Sequence, residues 1–244
     1  MLKEGSLYKF DNLLYKGYGF LTYGPLLTTT NIKTEVLKRA NFTITEKKPY
    51  VDMEFNAFSL KYVETIKYYD LDIYRYLIGR TGQTVSREAW KKKYKDHAEI
   101  IFNIISRLEN DTEFPRKKKK YVYEHLITQM VDSQIFMYDV ALAWPEIDGF
   151  LAHLRKYPEV YEKAIAYIEN KQGNCQLILR KYKHHKGNQP IIIPGVYETV
   201  NDDPSLLSGG SSGVSIKQRV KKAAKYFLPY GMVKKIIQKR NGGN

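Results

Sequence analysis

The chain of 244 residues has one cysteine, Cys175, so an intrachain disulfide is excluded. A reducing compartment fits this usage. No stretch reaches the ~20 consecutive apolar residues that a membrane span needs. Met1 to Asn12 has no apolar core of the length that a secretory signal requires. Membrane contact, if any, is therefore expected to be peripheral. No internal repeat of useful length is present. The five histidines, His97, His125, His153, His184 and His185, make no metal spacing with Cys175 or with one another. Cys175 lacks the pattern of a nucleophile with a base. Helix-turn-helix, zinc-finger and RNP-type aromatic signatures are also missing.

What is abundant is positive charge and tyrosine. Forty Lys and Arg against 26 Asp and Glu give a net charge of +14, with a pI near 9.5. A balance this basic suits anionic lipid, phosphorylated small molecules or nucleic acid. The acids lie among the bases through residues 35–165, so nucleic acid is the less favoured partner. The 21 Tyr argue against wholesale disorder and suit sugar-stacking or membrane-edge surfaces as well as cores.

Residues 1–30 read as mixed. Tyr18-Gly-Phe-Leu-Thr-Tyr23 reads as extended, and Asn31 is an expected N-cap for a short helix that buries Val36, Leu37 and Ala40. Residues 42–46 look extended. Asp52 to Val63 reads as a helix with Phe55, Phe58 and Tyr62 on one face, and Thr65 to Asp70 as a weak strand. From Ser86 the period becomes helical, and Ile100, Ile101, Ile104, Ile105 and Leu108 mark one face. Further helices are expected over 121–143, ended by Trp144-Pro145, then over 146–157 and 158–171, with Gly173 as the stop. Residues 186–213 have linker composition, rich in Gly, Pro and Ser.

From Val214 to Asn244 there are nine basic residues and no acid. Ile216, Val220, Ala223, Ala224 and Phe227 share one helical face, and Met232, Val233, Ile236 and Ile237 continue it beyond Pro229. Such a basic amphipathic helix reads as membrane-surface binding, with Lys217, Arg219, Lys221, Lys222, Lys225, Phe227, Lys234 and Lys235 as the contacts. Each cation near an anionic surface contributes about 1 kcal/mol. The alternative is a helix packed on the protein with a solvated basic face. Lys117–Lys120 could form a second contact patch or a solvated run.

Three segments, in order, carry a resemblance. They are Thr28-Thr-Thr-Asn-Ile-Lys-Thr-Glu-Val-Leu37; Phe42-Thr-Ile-Thr-Glu46 followed by Pro49-Tyr-Val-Asp52-Met-Glu54-Phe55; and Ile73-Tyr-Arg75-Tyr-Leu-Ile-Gly79-Arg80-Thr-Gly82-Gln83-Thr-Val-Ser86. Together they resemble the acceptor-side end of the catalytic domain in bacterial family 2 glycosyltransferases, the inverting GT-A enzymes of capsule and cell-wall polysaccharide synthesis. The resemblance spans about a quarter of the chain. It implies transfer of a hexose-type unit from a nucleotide-sugar to a lipid-linked or glycan hydroxyl. It assigns the general base to Asp52, with Glu54 as second choice, and donor-side contacts to Arg75, Arg80, Gln83 and Ser86. Read without it, Asp52 and Ser86 serve as helix N-caps and the arginines as solvated loop residues.

The family also carries a nucleotide-binding half and an Asp-x-Asp element for a divalent cation, Mg or Mn. Neither is seen here, because Asp70-Leu-Asp72 follows the expected base rather than preceding it. The chain is thus expected to be a fragment or to work with a separate donor-binding chain. As a fragment it could serve as a non-catalytic membrane-docking or assembly subunit. The expected architecture is α+β and mostly helical. Residues 1–90 would form a truncated GT-A acceptor-side subdomain, 91–185 a helical region, 186–213 a linker and 214–244 the basic amphipathic C-terminal helix. The expected place is the cytoplasm, peripheral on the inner face of the cell membrane.

Overall fold

The computed structural model describes residues 2–16, 27–71, 74 and 86–192. These are mostly helical. Two short strands, β1 (Leu7–Lys9) and β2 (Thr65–Lys67), pair antiparallel with Tyr8 opposite Ile66. The ladder is extended by Phe10 N–H donating to the Glu64 carbonyl at 2.8 Å and Gly5 N–H to the Tyr68 carbonyl at 2.9 Å. The described residues hold eight α-helices, in chain order α1 (Thr34–Ala40), α2 (Val51–Phe58), α3 (Arg87–Asn110), α4 (Arg116–Val122), α5 (Thr128–Val140), α6 (Pro145–Leu154), α7 (Pro158–Lys171) and α8 (Asn174–Lys181).

The helix α3 is the long element that the isoleucine spacing predicts. Ile100, Ile101, Ile104 and Ile105 are fully buried and Leu108 nearly so. Removing each such side chain from water contributes about 1.5–3 kcal/mol before cavity effects. Helix α5 packs on α3 along one side and on α7 and α8 along others, which explains why most of its residues are buried, the polar Thr128, Gln134 and Asp139 among them. Phe10, Phe58, Ile104, Tyr121 and Leu151 belong to one continuous core, so side chains from before residue 90 and after it are buried together.

Several local expectations shift. Helix α1 begins at Thr34 after Lys33, which makes no side-chain cap; Asn31 stays exposed outside it, because Leu27–Thr29 forms a separate 3-10 turn first. Val36, Leu37 and Ala40 form its less exposed side, but none of them is buried. The helix expected from 121 starts earlier, at Arg116. It widens into a π-helical turn at Tyr123–Ile127 and ends at Val140. Pro145 opens α6 from its first turn, where a missing N–H costs nothing. Gln172, at φ 46°, closes α7 in the left-handed conformation, and Gly173 precedes α8, a helix that the sequence reading did not separate. Tyr18–Tyr23 and residues 193–244, including the expected membrane contacts, lie outside the described residues.

Candidate active site

The site is framed by α2, α3 and the extended segment 42–48 between α1 and α2. Helices α2 and α3 run side by side in the same direction. Tyr50 meets His97 with ring centroids 4.7 Å apart, Glu54 meets Asn103, Phe58 lies under Arg107, and Lys61 binds Asp111 at 2.8 Å. Segment 42–48 crosses this seam as a strap. Phe42 packs against Phe55 and Phe58, the Thr43 carbonyl accepts from Arg107 at 2.7 Å, Thr45 bonds Glu54, and Lys48 pairs with Asp96 and Glu99.

Asp52 sits in the first turn of α2, directly after Tyr50, whose φ of 68° turns the chain into the helix. A bulky residue in this left-handed region is strained by roughly 1–2 kcal/mol. Asp52 is half-buried. Burial pushes its carboxyl above the ordinary value, and the backbone N–H groups of Asp52 and Met53 pull only partly against that. Beside it the Tyr50 hydroxyl is pushed up to about 12, chiefly by burial, then by the charges of Asp96 and Asp52. His97 behaves oppositely. Burial drives its imidazole down to about 4, against a 2.6 Å bond to the Gln134 side chain, so the ring is neutral.

Glu54, two residues on, faces inward with 0% exposure. Its carboxylate accepts from the Thr45 backbone N–H at 2.7 Å, the Thr45 hydroxyl at 2.9 Å and the Asn103 amide. This geometry makes Glu54 the pin of the strap and leaves it no face toward a substrate. Of the two carboxylates named from the sequence, Asp52 alone keeps part of its surface exposed to solvent. Ser86 is the N-cap of α3, its Oγ accepting from Ala89 N–H at 3.2 Å; such a hydroxyl keeps its own proton to donate. Arg75, Arg80 and Gln83 lie outside the described residues, as does Asp72.

Sequence reasoning passed over Thr45, Asn103, His97 and Gln134. Their partners lie nine to 49 residues away in the case of Glu54, and 37 in the case of His97, so spacing gave no signal. It also passed over Lys118. Within the Lys117–Lys120 run this side chain is buried and donates to the carbonyls of Lys61 at 3.2 Å and Val63 at 2.7 Å, which closes the end of the helical stretch after α2. That part of the run is structural rather than a contact patch.

Among the described residues no group of three or more His, Cys, Asp or Glu is placed to hold a metal ion. The divalent cation implied by the resemblance therefore finds no donor set there, and no step below runs through it. Among the same residues no helix is long and apolar enough to cross a membrane. No family model, no curated protein and no solved structure matches this chain.

Proposed function

We propose that this chain is the acceptor-side portion of an inverting glycosyltransferase of the surface-polysaccharide type, with Asp52 as general base. The observation that supports it most is the contrast between the two carboxylates of α2. Glu54 is fully engaged in holding the strap. Asp52, at the head of the same helix, is only half-buried and has its carboxyl raised by burial. A raised carboxyl is a stronger base than an ordinary one, and general-base transfer is best served by a pKa nearer working pH. The acceptor hydroxyl gives its proton to Asp52 as its oxygen bonds the anomeric carbon, and the bond from that carbon to the nucleotide diphosphate breaks. The donor-side contacts of this reading are Arg75, Arg80, Gln83 and Ser86, offsetting charge on the leaving group. The basic segment 214–244 would hold the enzyme to an anionic membrane surface where a lipid-linked acceptor resides.

The test is a chromosomal Asp52→Asn change, with the cell's lipid-linked and surface glycans profiled by mass spectrometry beside a deletion of the gene. Loss of the same glycan in both strains, at equal protein level, supports the base role. Loss in the deletion alone points to a docking or assembly subunit and sinks the catalytic reading.

A further inference from the structure

Between α1, the turn after α2 and the end of α3 lies an open cleft of about 510 Å³, within the range of small-ligand sites. Its charge is arranged unevenly. Lys61, 13% exposed at its side chain, is neutralised by Asp111 at 2.9 and 2.8 Å and by Glu113 at 3.4 Å. Two guanidinium groups are less committed. Arg39 stacks over the Tyr62 ring at 4.7 Å, and its ionic partner, Glu64 at 3.9 Å, is itself 77% exposed. An exposed pair of this kind is worth little and exchanges readily. Arg107 stacks over Phe58 at 4.0 Å and gives one N–H to the Thr43 carbonyl.

The stacking has two chemical consequences. The arginines already occupy faces of Tyr62 and Phe58, so a neutral sugar ring loses those platforms. A guanidinium is planar, and one stacked on a ring still donates from its edge, the geometry that matches carboxylate and phosphate oxygens two at a time. The amide side chains of Asn41 and Asn110 also line the cleft and suit hydroxyl groups. Asn41 is fixed at the end of α1 by its left-handed backbone, with its N–H on the Leu37 carbonyl. A bare anion needs neither the amides nor this much space.

We propose that this cleft binds a saccharide carrying a carboxylate, a uronate. It rests on the glycosyl-transfer reading for one further assignment: the ligand is the far end of the acceptor. Phe58 and Tyr62 follow Asp52 by six and ten residues, first along α2 and then along the 3-10 turn Ser59–Tyr62, about 9 and 17 Å away at 1.5 and 2.0 Å per residue. A short glycan could therefore lie with its reacting hydroxyl at Asp52 and its charged end between the arginines.

The full-length chain is titrated with glucuronate, glucose and inorganic phosphate by calorimetry and ligand-observed NMR. The expected result is binding of glucuronate, with glucose and phosphate each weaker by about tenfold or more. Arg39→Gln should cut glucuronate affinity about tenfold without moving the thermal midpoint, since its stacking and its ion pair are exposed. Arg107→Lys, which keeps the charge and loses the planar fork, should weaken it as well. Equal binding of glucose, phosphate binding as tight as glucuronate, an unchanged Arg39→Gln variant, or no glucuronate binding would each overturn the proposal. Asp52→Asn should bind glucuronate normally. Failure of the base role and failure of the cleft are thereby separated.

Discussion

Thr45 donates twice to Glu54: its backbone N–H at 2.7 Å and its hydroxyl at 2.9 Å reach the two oxygens of one fully buried carboxylate. The Asn103 amide completes the set. Glu54→Ala would leave the part-buried Thr45 N–H without its acceptor and the Asn103 amide with the Thr45 hydroxyl in place of two acceptors, at about 1–3 kcal/mol in total. Glu54→Gln, which keeps one acceptor oxygen, should cost less. Urea unfolding at neutral pH measures both, and an alanine variant as stable as the parent would show that the strap is not held there.

Asp52 should trade stability for chemistry. Its folded pKa lies above the unfolded value of about 3.9, so its contribution is most favourable below that value and is lost as pH rises through the folded pKa. An uncharged isostere avoids the loss. Asp52→Asn is expected to melt higher than the parent at pH 7 and to match it near pH 3. A lower midpoint at pH 7 would mean that the two backbone N–H bonds outweigh burial.

His97 gives the opposite slope. Its folded pKa is about 4 against about 6.5 unfolded, so the unfolded chain takes up the proton first. The stabilisation is complete above pH 6.5 and is withdrawn as pH falls toward 4, by up to about 3 kcal/mol. His97→Gln should flatten the dependence of stability on pH across this window while leaving other contributions in place. Denaturant midpoints of both proteins at several pH values between 4 and 7 provide the check.

Asp139 ties the last described residues to the helical body. Its buried carboxylate accepts from Trp144 Nε1, Ile191 N–H and Ile192 N–H, each at 2.8 Å. Asp139→Ala removes all three bonds at once, and we expect limited proteolysis to cut near residue 190 much faster in this variant. Unchanged cleavage would mean that Pro190 and Ile191 hold the segment by packing alone.

Neighbouring lysines should differ sharply. Lys118→Met strands two carbonyls and is expected to cost about 1–3 kcal/mol. Lys120→Gln, at an exposed position with a 3.8 Å pair to Glu124, should stay within about 0.5 kcal/mol of the parent. Thermal melts of the two variants, made side by side, separate the structural lysine from the solvated one.

The legible parts of this fold were those written in short-range periodicity. Ile100 to Leu108 announce α3, and the stretch 158–171 announces α7. The position of Asp52 at the head of a helix could also be read. What Glu54 does could not, because its partners are supplied by a strap and by a helix that only folding brings together. Asp139 was hidden for the same reason: it serves amides more than 50 residues away. The start of α1 was misplaced because Asn31 has cap chemistry but lies outside the helix. The π-helical turn at Tyr123–Ile127 has no composition of its own.

The parallel seam of α2 and α3, bolted by a strap at its two ends and middle, sets how the molecule breathes. Amides of Val51–Phe58 cannot open to solvent unless the Ile100–Leu108 stretch loosens with them, so both should exchange hydrogen at a common, near-global free energy. A candidate proton acceptor mounted there is carried by a helix rather than by a loop. Its aim would then be set when the protein folds, before any sugar arrives.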